Sequence, residues 1–234
     1  TLKITNKTVD QMELGGIAML KKKEEENSLS KMIAKDIIAQ IITGELNPGD
    51  KLVEKEYADM YGTSRAPVRE AVYMLTTEGL VERIPRKGAI VKEYSNDDII
   101  DLLEIRNMLE LMAVKRIAIH GPDQELLKEM NNIIQKMSLD TAIYTYTKLN
   151  YSFHTCIVKM SRSNPIQEMY SRLGLPLLRI QNLSFSQEGN IKKSIEEHKE
   201  IYRFIKEQKM DELESLLTQH NEYVITSIRK ILDM

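Results

Sequence analysis

Three observations predict a mainly α-helical chain in two parts. Of 234 residues only 10 are Gly and 6 are Pro, while Leu, Ile, Lys and Glu, all residues that tolerate helices, dominate. Strand-like patterning is confined to residues 80–91, with none after residue 94. The length favours two units at about 100 to 200 residues per domain. The expected division is an extension or linker over 1–27, a first domain over 28–94, and an all-helical antiparallel bundle of six or seven helices over 95–234.

The extension ends in Lys21-Lys22-Lys23-Glu24-Glu25-Glu26, a block of one charge followed by the other, as in a solvated linker. From Ser28 the pattern sharpens. Ile33, Ile37, Ile38, Ile41 and Ile42 follow helical spacing, and Gly44 supplies a stop. Leu46-Asn47-Pro48-Gly49-Asp50 is a turn, and a second short helix is expected to bury Leu52, Tyr57 and Ala58. Gly62-Thr63-Ser64 then opens a third helix with a hydroxyl N-cap and an early proline, Pro67. It stops near Glu78-Gly79. Residues 80–84 and 89–91 read as two short strands, joined by a basic tip, Pro85-Arg86-Lys87-Gly88.

Three helices and a two-stranded wing make a winged helix-turn-helix. Arg65 and Arg69 stand one turn apart near the start of the third helix, where a helix laid in the major groove offers side chains to bases and phosphates. The competing reading is a solvated arginine face. The gathering of basic groups on this helix and on the wing tip, the two parts that meet a duplex, favours DNA. The formal net charge of -2 excludes a globally basic binder, so contact must come from this local patch.

In the second domain, Ser95-Asn96-Asp97-Asp98 caps a long helix with Ile99, Leu102, Leu103, Ile105, Met108, Leu109 and Met112 as an apolar face. Further helices are expected from Gly121-Pro122-Asp123 to about Met137, from about Asp140 to Met160, and from Asn164-Pro165. Gly174-Leu175-Pro176 to Gly189 reads as a broken helix and loop, followed by helices over about 191–208 and 211–234. His120, at a helix C-terminus, is taken as structural. His154, His198 and His220 lie within apolar helical segments, and Asn150 shares a face with His154 one turn away. Three imidazoles and an oxygen on three helices suit Zn²⁺ or a similar divalent metal, but such histidines also serve as polar core residues. Unperturbed imidazoles would lose a metal below about pH 6.

One cysteine, Cys156, excludes an internal disulfide. With no apolar run of membrane length and no signal-peptide pattern in the N-terminal residues, a cytoplasmic protein is expected.

The run Gly44-x-Leu46-x-Pro48-Gly49-x-x-Leu52, then Ser64-Arg65-x-Pro67-Val68-Arg69-Glu70-Ala71, Glu78-Gly79-Leu80-Val81 and Gly88-Ala89-x-Val91, resembles the DNA-binding domain of the GntR family of bacterial transcription regulators. It spans some sixty residues in order. The resemblance implies that Arg65 and Arg69 contact bases or phosphates, that Ser64 and Lys55 hold the backbone, and that the wing at Gly88 enters the minor groove. Lys55 and Lys87 stand where arginine is common, and lysine offers a point charge without the bidentate fork.

The order Asn150-x-x-Phe153-His154, Asn164-Pro165, Glu197-His198, His220 resembles the FCD effector domain of the FadR-like branch of that family. The resemblance implies a metal held by one Asp and three His, with a small carboxylate completing its shell. Asn150 stands at the aspartate position, so the site loses a charge. Ser194 would lie behind His198. Arg106 and Glu110 resemble a recurring pair in which the arginine enters the pocket, the alternative being an internal ion pair; Arg179 is a second effector-binding candidate. The resulting expectation is a homodimeric, non-enzymatic regulator of double-stranded operator DNA, with repression as the working sense of regulation. It would respond to a small organic acid or amino acid and have no membrane partner. The rivals are a metal-dependent hydrolase-like enzyme with a DNA-binding appendage, and a DNA-binding protein whose helical domain only dimerises.

Overall fold

The computed structural model describes residues 29–233. The expected extension over 1–27 lies outside them, as does Ser28. The first part runs α1 (Leu29–Thr43), β1 (Lys51–Leu52), α2 (Glu54–Met60), α3 (Arg65–Thr77), β2 (Val81–Ile84) and β3 (Gly88–Val91). All five isoleucines of the periodic run in α1 are buried, and they pack on α3 through its Val68, Ala71, Val72 and Leu75. Gly44, at φ 83°, adopts the left-handed backbone that ends α1.

Two expectations are corrected here. Leu52 does not belong to the second helix; it lies in β1, which makes a third strand of the sheet, ordered β1-β3-β2 and antiparallel throughout. Lys51 pairs with Ile90 and Leu52 with Ala89. Two residues are too few to show an alternation, so β1 was invisible to periodicity. Ser64 is the N-cap of α3 by its extended backbone, but its hydroxyl makes no cap hydrogen bond.

The second part is a bundle of six helices: α4 (Asn96–His120), α5 (Gln124–Lys136), α6 (Ile143–Met160), α7 (Asn164–Phe185), α8 (Asn190–Glu207) and α9 (Met210–Ile231). A capping box starts α4. The Asp98 amide donates to Ser95 Oγ at 3.1 Å, and the Ser95 amide donates to Asp98 Oδ2 at 3.0 Å. Consecutive pairs α5–α6, α6–α7 and α8–α9 pack through short connections, as antiparallel neighbours do.

The broken helix expected from Gly174 to Gly189 is also corrected: α7 continues through buried Pro176 to Phe185. Tertiary packing overrides the local break. Gly174 brings α7 so close to α6 that a Cβ there would lie 2.4 Å from the Tyr151 hydroxyl. The glycine is needed for this approach rather than for a turn.

Continuity of α7 carries Arg179 to the first part. Its Nη1 donates to the carbonyls of Ile41 at 2.7 Å and Leu46 at 2.8 Å, and its Nη2 donates to Asn47 Oδ1 at 3.2 Å. Ile41 is in the last turn of α1, whose carbonyls have no partner within the helix, and a cation there also suits the helix dipole. Hydrogen bonds from a charged donor contribute about 1.5–3 kcal/mol each when shielded, and less for this half-buried side chain. Arg179→Ala is therefore expected to destabilise the joint between the two parts by about 1–3 kcal/mol. Hydrogen exchange should quicken at α1's last turn and residues 44–50 while the α6 core keeps its protection; unchanged exchange in the turn would rule out this tie.

Candidate functional site

Two sites emerge, one on each part. On the first, Lys55, Ser64, Arg65, Arg69, Arg86, Lys87 and Gly88 are all exposed. Val68, Ala71, Val72 and Leu75 face inward, which leaves Arg65 and Arg69 on the outer face of α3. At the wing tip Arg86 and Gly88 take φ of 67° and 91°, and the Lys87 amide donates to the Ile84 carbonyl at 3.1 Å, so the turn displays its basic side chains. Sequence reasoning missed Glu54. Its carboxylate accepts from Arg69 Nε at 2.8 Å and from Arg83 Nη2 at 3.4 Å. One acid on α2 thereby holds an arginine of α3 and an arginine of the wing strand β2.

On the second part His154, His198 and His220 are brought together from α6, α8 and α9, and all three are buried. One ligand atom from each lies within 4.8 Å of the others, and Nε2 of His154 and His198 are 3.3 Å apart. Two of the rings are held from behind. His220 Nδ1 meets Glu197 Oε2 at 2.7 Å, and His198 Nδ1 meets Met137 Sδ at 3.4 Å. His154 Nδ1 lies 3.2 Å from Glu110 Oε1 but off the line of a good hydrogen bond. The Glu197 contact on His220 Nδ1 favours the tautomer whose Nε2 carries the lone pair, while between His154 and His198 one Nε2 donates to the other in the metal-free chain.

Glu110 is the anchor of the pocket. Its Oε1 accepts from Arg106 Nε at 2.9 Å and from the Tyr170 hydroxyl at 2.8 Å, and its Oε2 accepts from Asn221 Nδ2 at 3.2 Å. Burial alone would raise its pKa, but the Arg106 guanidinium, helped by the hydrogen bond from Tyr170, outweighs that, and the carboxyl stays well below the usual range. The internal ion pair is made through Arg106 Nε, while its Nη2 is buried with no hydrogen-bond partner.

A cavity of about 20 Å³, room for about one water, lies beside these groups. Arg106, Asn150, Gln181, Ser194, Glu197 and His220 contribute to its wall. Asn150 Oδ1, Ser194 Oγ and the Tyr146 hydroxyl are buried without hydrogen-bond partners. Lys193 Nζ reaches Glu197 Oε1 at 2.6 Å, so the glutamate behind His220 is itself neutralised. Arg179, expected to bind effector, is absent from this wall; its guanidinium is occupied at the joint described above. Gln181, also missed, could not be singled out from the sequence, because it lies in the stretch read as broken.

Burial pushes the His154 pKa down to about 4 and moves His198 well below its ordinary value, with the neighbouring imidazoles adding to the effect on His198. The expectation that ordinary imidazoles protonate near pH 6 is corrected for these two. They stay neutral, as ligands must, further into acid.

Residues 29–91 match the gntR family of bacterial regulatory proteins, and residues 101–223 match the FCD domain. An HTH-type transcriptional regulator, YdhC, of Bacillus subtilis strain 168 is 24% identical over 88% of this chain and 90% of its own length. The HTH-type transcriptional repressor RspR of Escherichia coli K12 is 24% identical over 86% of this chain and 87% of its own. Among solved structures, a GntR transcriptional regulator from Rhodococcus sp. RHA1 shares the fold with a TM-score of 0.72 at 20% identity, covering 86% of this chain and 98% of that one. McbR/YncC of E. coli does so with a TM-score of 0.69 at 21% identity, covering 88% and 99%.

The buried imidazoles set a pH dependence for the metal-free chain. Unfolded histidine titrates near 6.5, so between that value and about 4 the unfolded chain binds more protons, and stability falls as the pH falls. The loss from His154 alone should reach about 2 kcal/mol by pH 5. A urea midpoint that drops between pH 7 and pH 5 is the expected result. A flat midpoint would mean that His154 protonates in the folded state as freely as in the unfolded one.

Proposed function

This chain belongs to the gntR family of bacterial transcription regulators and carries an FCD domain as its second part, and on that premise we propose that it binds a palindromic operator as a homodimer and answers to a small carboxylate. The buried and unpartnered Arg106 Nη2, beside a cavity bounded by a histidine of the triad, is the observation that carries the effector reading. An unsatisfied guanidinium nitrogen is costly in the interior, and a carboxylate is its natural partner. Repression is the sense borne by the name of the E. coli relative, and it is the sense proposed here.

The residues present fit a divalent cation, Zn²⁺ being the ion suited to this donor set. His154, His198 and His220 would hold it, with Asn150 Oδ1, a buried acceptor without a partner, as the oxygen ligand. A bound cation supplies positive charge and open positions for an anionic ligand. The chain's own groups do the rest. Glu197 orients His220, Glu110 stands 3.2 Å from His154, and Arg106 offers its Nη2 to the acid.

Dimerisation finds support on the outer face of α4. Ile105, Met108, Met112 and Ile119 are 41%, 63%, 50% and 71% exposed, at spacings that put them along one side of the helix, while Arg106 and Glu110 point into the bundle. An apolar stripe of this kind in contact with water marks an interaction surface. A two-fold protein reads a two-fold operator, with one winged helix for each half-site. Sedimentation should give a dimer at micromolar concentration and more monomer for Met108→Glu. A native chain that stays monomeric with and without operator DNA would overturn the assembly.

For DNA, Arg65→Ala should weaken operator binding by about 1–3 kcal/mol and relax preference at one base pair. Lys87→Ala should weaken all sequences alike and lower the salt slope by about one unit. Gel-shift titrations over a range of salt concentrations separate the two effects, and unchanged binding in both variants would sink the recognition-helix and wing assignment.

A further inference from the structure

We propose that Gln181 is a positioning residue that makes Asn150 usable as a metal ligand, an inference that rests on the metal reading above. A carboxylate presents an oxygen whichever way it turns. An amide has one ligating end and one end bearing hydrogens, so an asparagine in this position must be held with the right end forward. In this chain Asn150 Nδ2 donates to Gln181 Oε1 at 3.3 Å, and Oδ1 is left buried without a partner. Both residues are 2% exposed and both line the cavity that His220 borders.

Turning the Asn150 amide over would set its oxygen against the Gln181 oxygen and its hydrogens where the oxygen now stands. With the Gln181 oxygen placed as it is, two acceptors would then face each other in a site shielded from water and repel, so this placement of Gln181 favours the observed orientation of Asn150. A cation on Oδ1 would strengthen the selection. It draws electron density from the amide and makes Nδ2 a better donor to Gln181, so cation and glutamine polarise the same group in the same sense. Gln181 comes from α7, whereas Asn150 and His154 share α6. The orientation of the oxygen ligand thus depends on a helix that carries none of the histidines.

The test is a double-mutant cycle read by calorimetric titration of the full chain with Co²⁺, whose visible absorption also reports the ligand set. Gln181→Met removes the acceptor at similar size, and Asn150→Asp removes the need for orientation. Gln181→Met is expected to lower Co²⁺ affinity about 10- to 100-fold in the native background, the usual range for a residue behind a ligand. In the Asn150→Asp background the same change should cost about twofold or less, because either carboxylate oxygen serves. Equal losses in the two backgrounds would make Gln181 a merely structural residue and overturn the proposal. So would native affinity in Gln181→Met when His198→Ala still abolishes binding, an outcome that leaves the metal reading standing. No Co²⁺ binding by the native chain would overturn both.

Discussion

A carboxylate with no exposure to water is the constraint on which the helical part turns. Removing an ion from water costs several kcal/mol even after relaxation, and Glu110 is fully buried. The chain answers with donors from separate elements: Arg106 from α4 itself, Tyr170 from α7 and Asn221 from α9, while His154 of α6 stands 3.2 Å away. Four helices therefore meet at one charge. Because the arginine is neutralised through Nε alone, the same interaction that satisfies Glu110 leaves a cationic nitrogen pointing to no protein partner. Truncating either member of the pair would strand the other in the interior.

Two helices carry the consequences outward. α4 presents Arg106 and Glu110 to the pocket and the Ile105, Met108, Met112 and Ile119 stripe to the outside. α7 presents Gln181, Ser184 and Phe185 to the cavity and, two residues before Gln181, ends Arg179 on the carbonyls of α1 and the turn that follows. Close-packed interiors do not absorb displacement at one point without passing it to neighbours. The cavity wall and the tie to α1, the helix on which α3 packs, thus lie within one turn of each other on α7.

How much of this could be read from residues alone varied with how local each signal was. The helix of isoleucines at 33–42 and the winged pattern that follows depend on periodicity and turn residues within a few positions, and the mainly helical two-part fold was legible from them. β1 was not, since two residues carry no period. α7 was read as broken because Gly174 and Pro176 are local breakers, whereas the reason it continues is its contact with Tyr151, twenty-three positions earlier in the chain. In α4 the sequence shows one apolar face but not its direction: of that set Ile105, Met108 and Met112 are exposed, and the buried residues include Arg106 and Glu110. That Arg106 and Glu110 turn inward followed only from the resemblance, because the other groups around Glu110 lie 44 to 111 positions away. The three histidines were visible as residues in helices; their convergence to within 4.8 Å is a property of the fold.

The charges around the cavity explain why an amide at position 150 matters. Arg106 is offset by Glu110, and Lys193 by Glu197. Burial keeps His154 and His198 neutral, and Asn150 adds nothing. The walls are close to neutral as they stand. A divalent cation placed on the imidazoles would keep nearly its full charge, where an aspartate would have cancelled half of it, and in a shielded site that charge is a strong demand for an anion. A carboxylate entering alone would find Arg106 already engaged by Glu110 through Nε. Cation and acid each lack in this pocket what the other provides, so their binding should be coupled more tightly here than in a site with a carboxylate at that position.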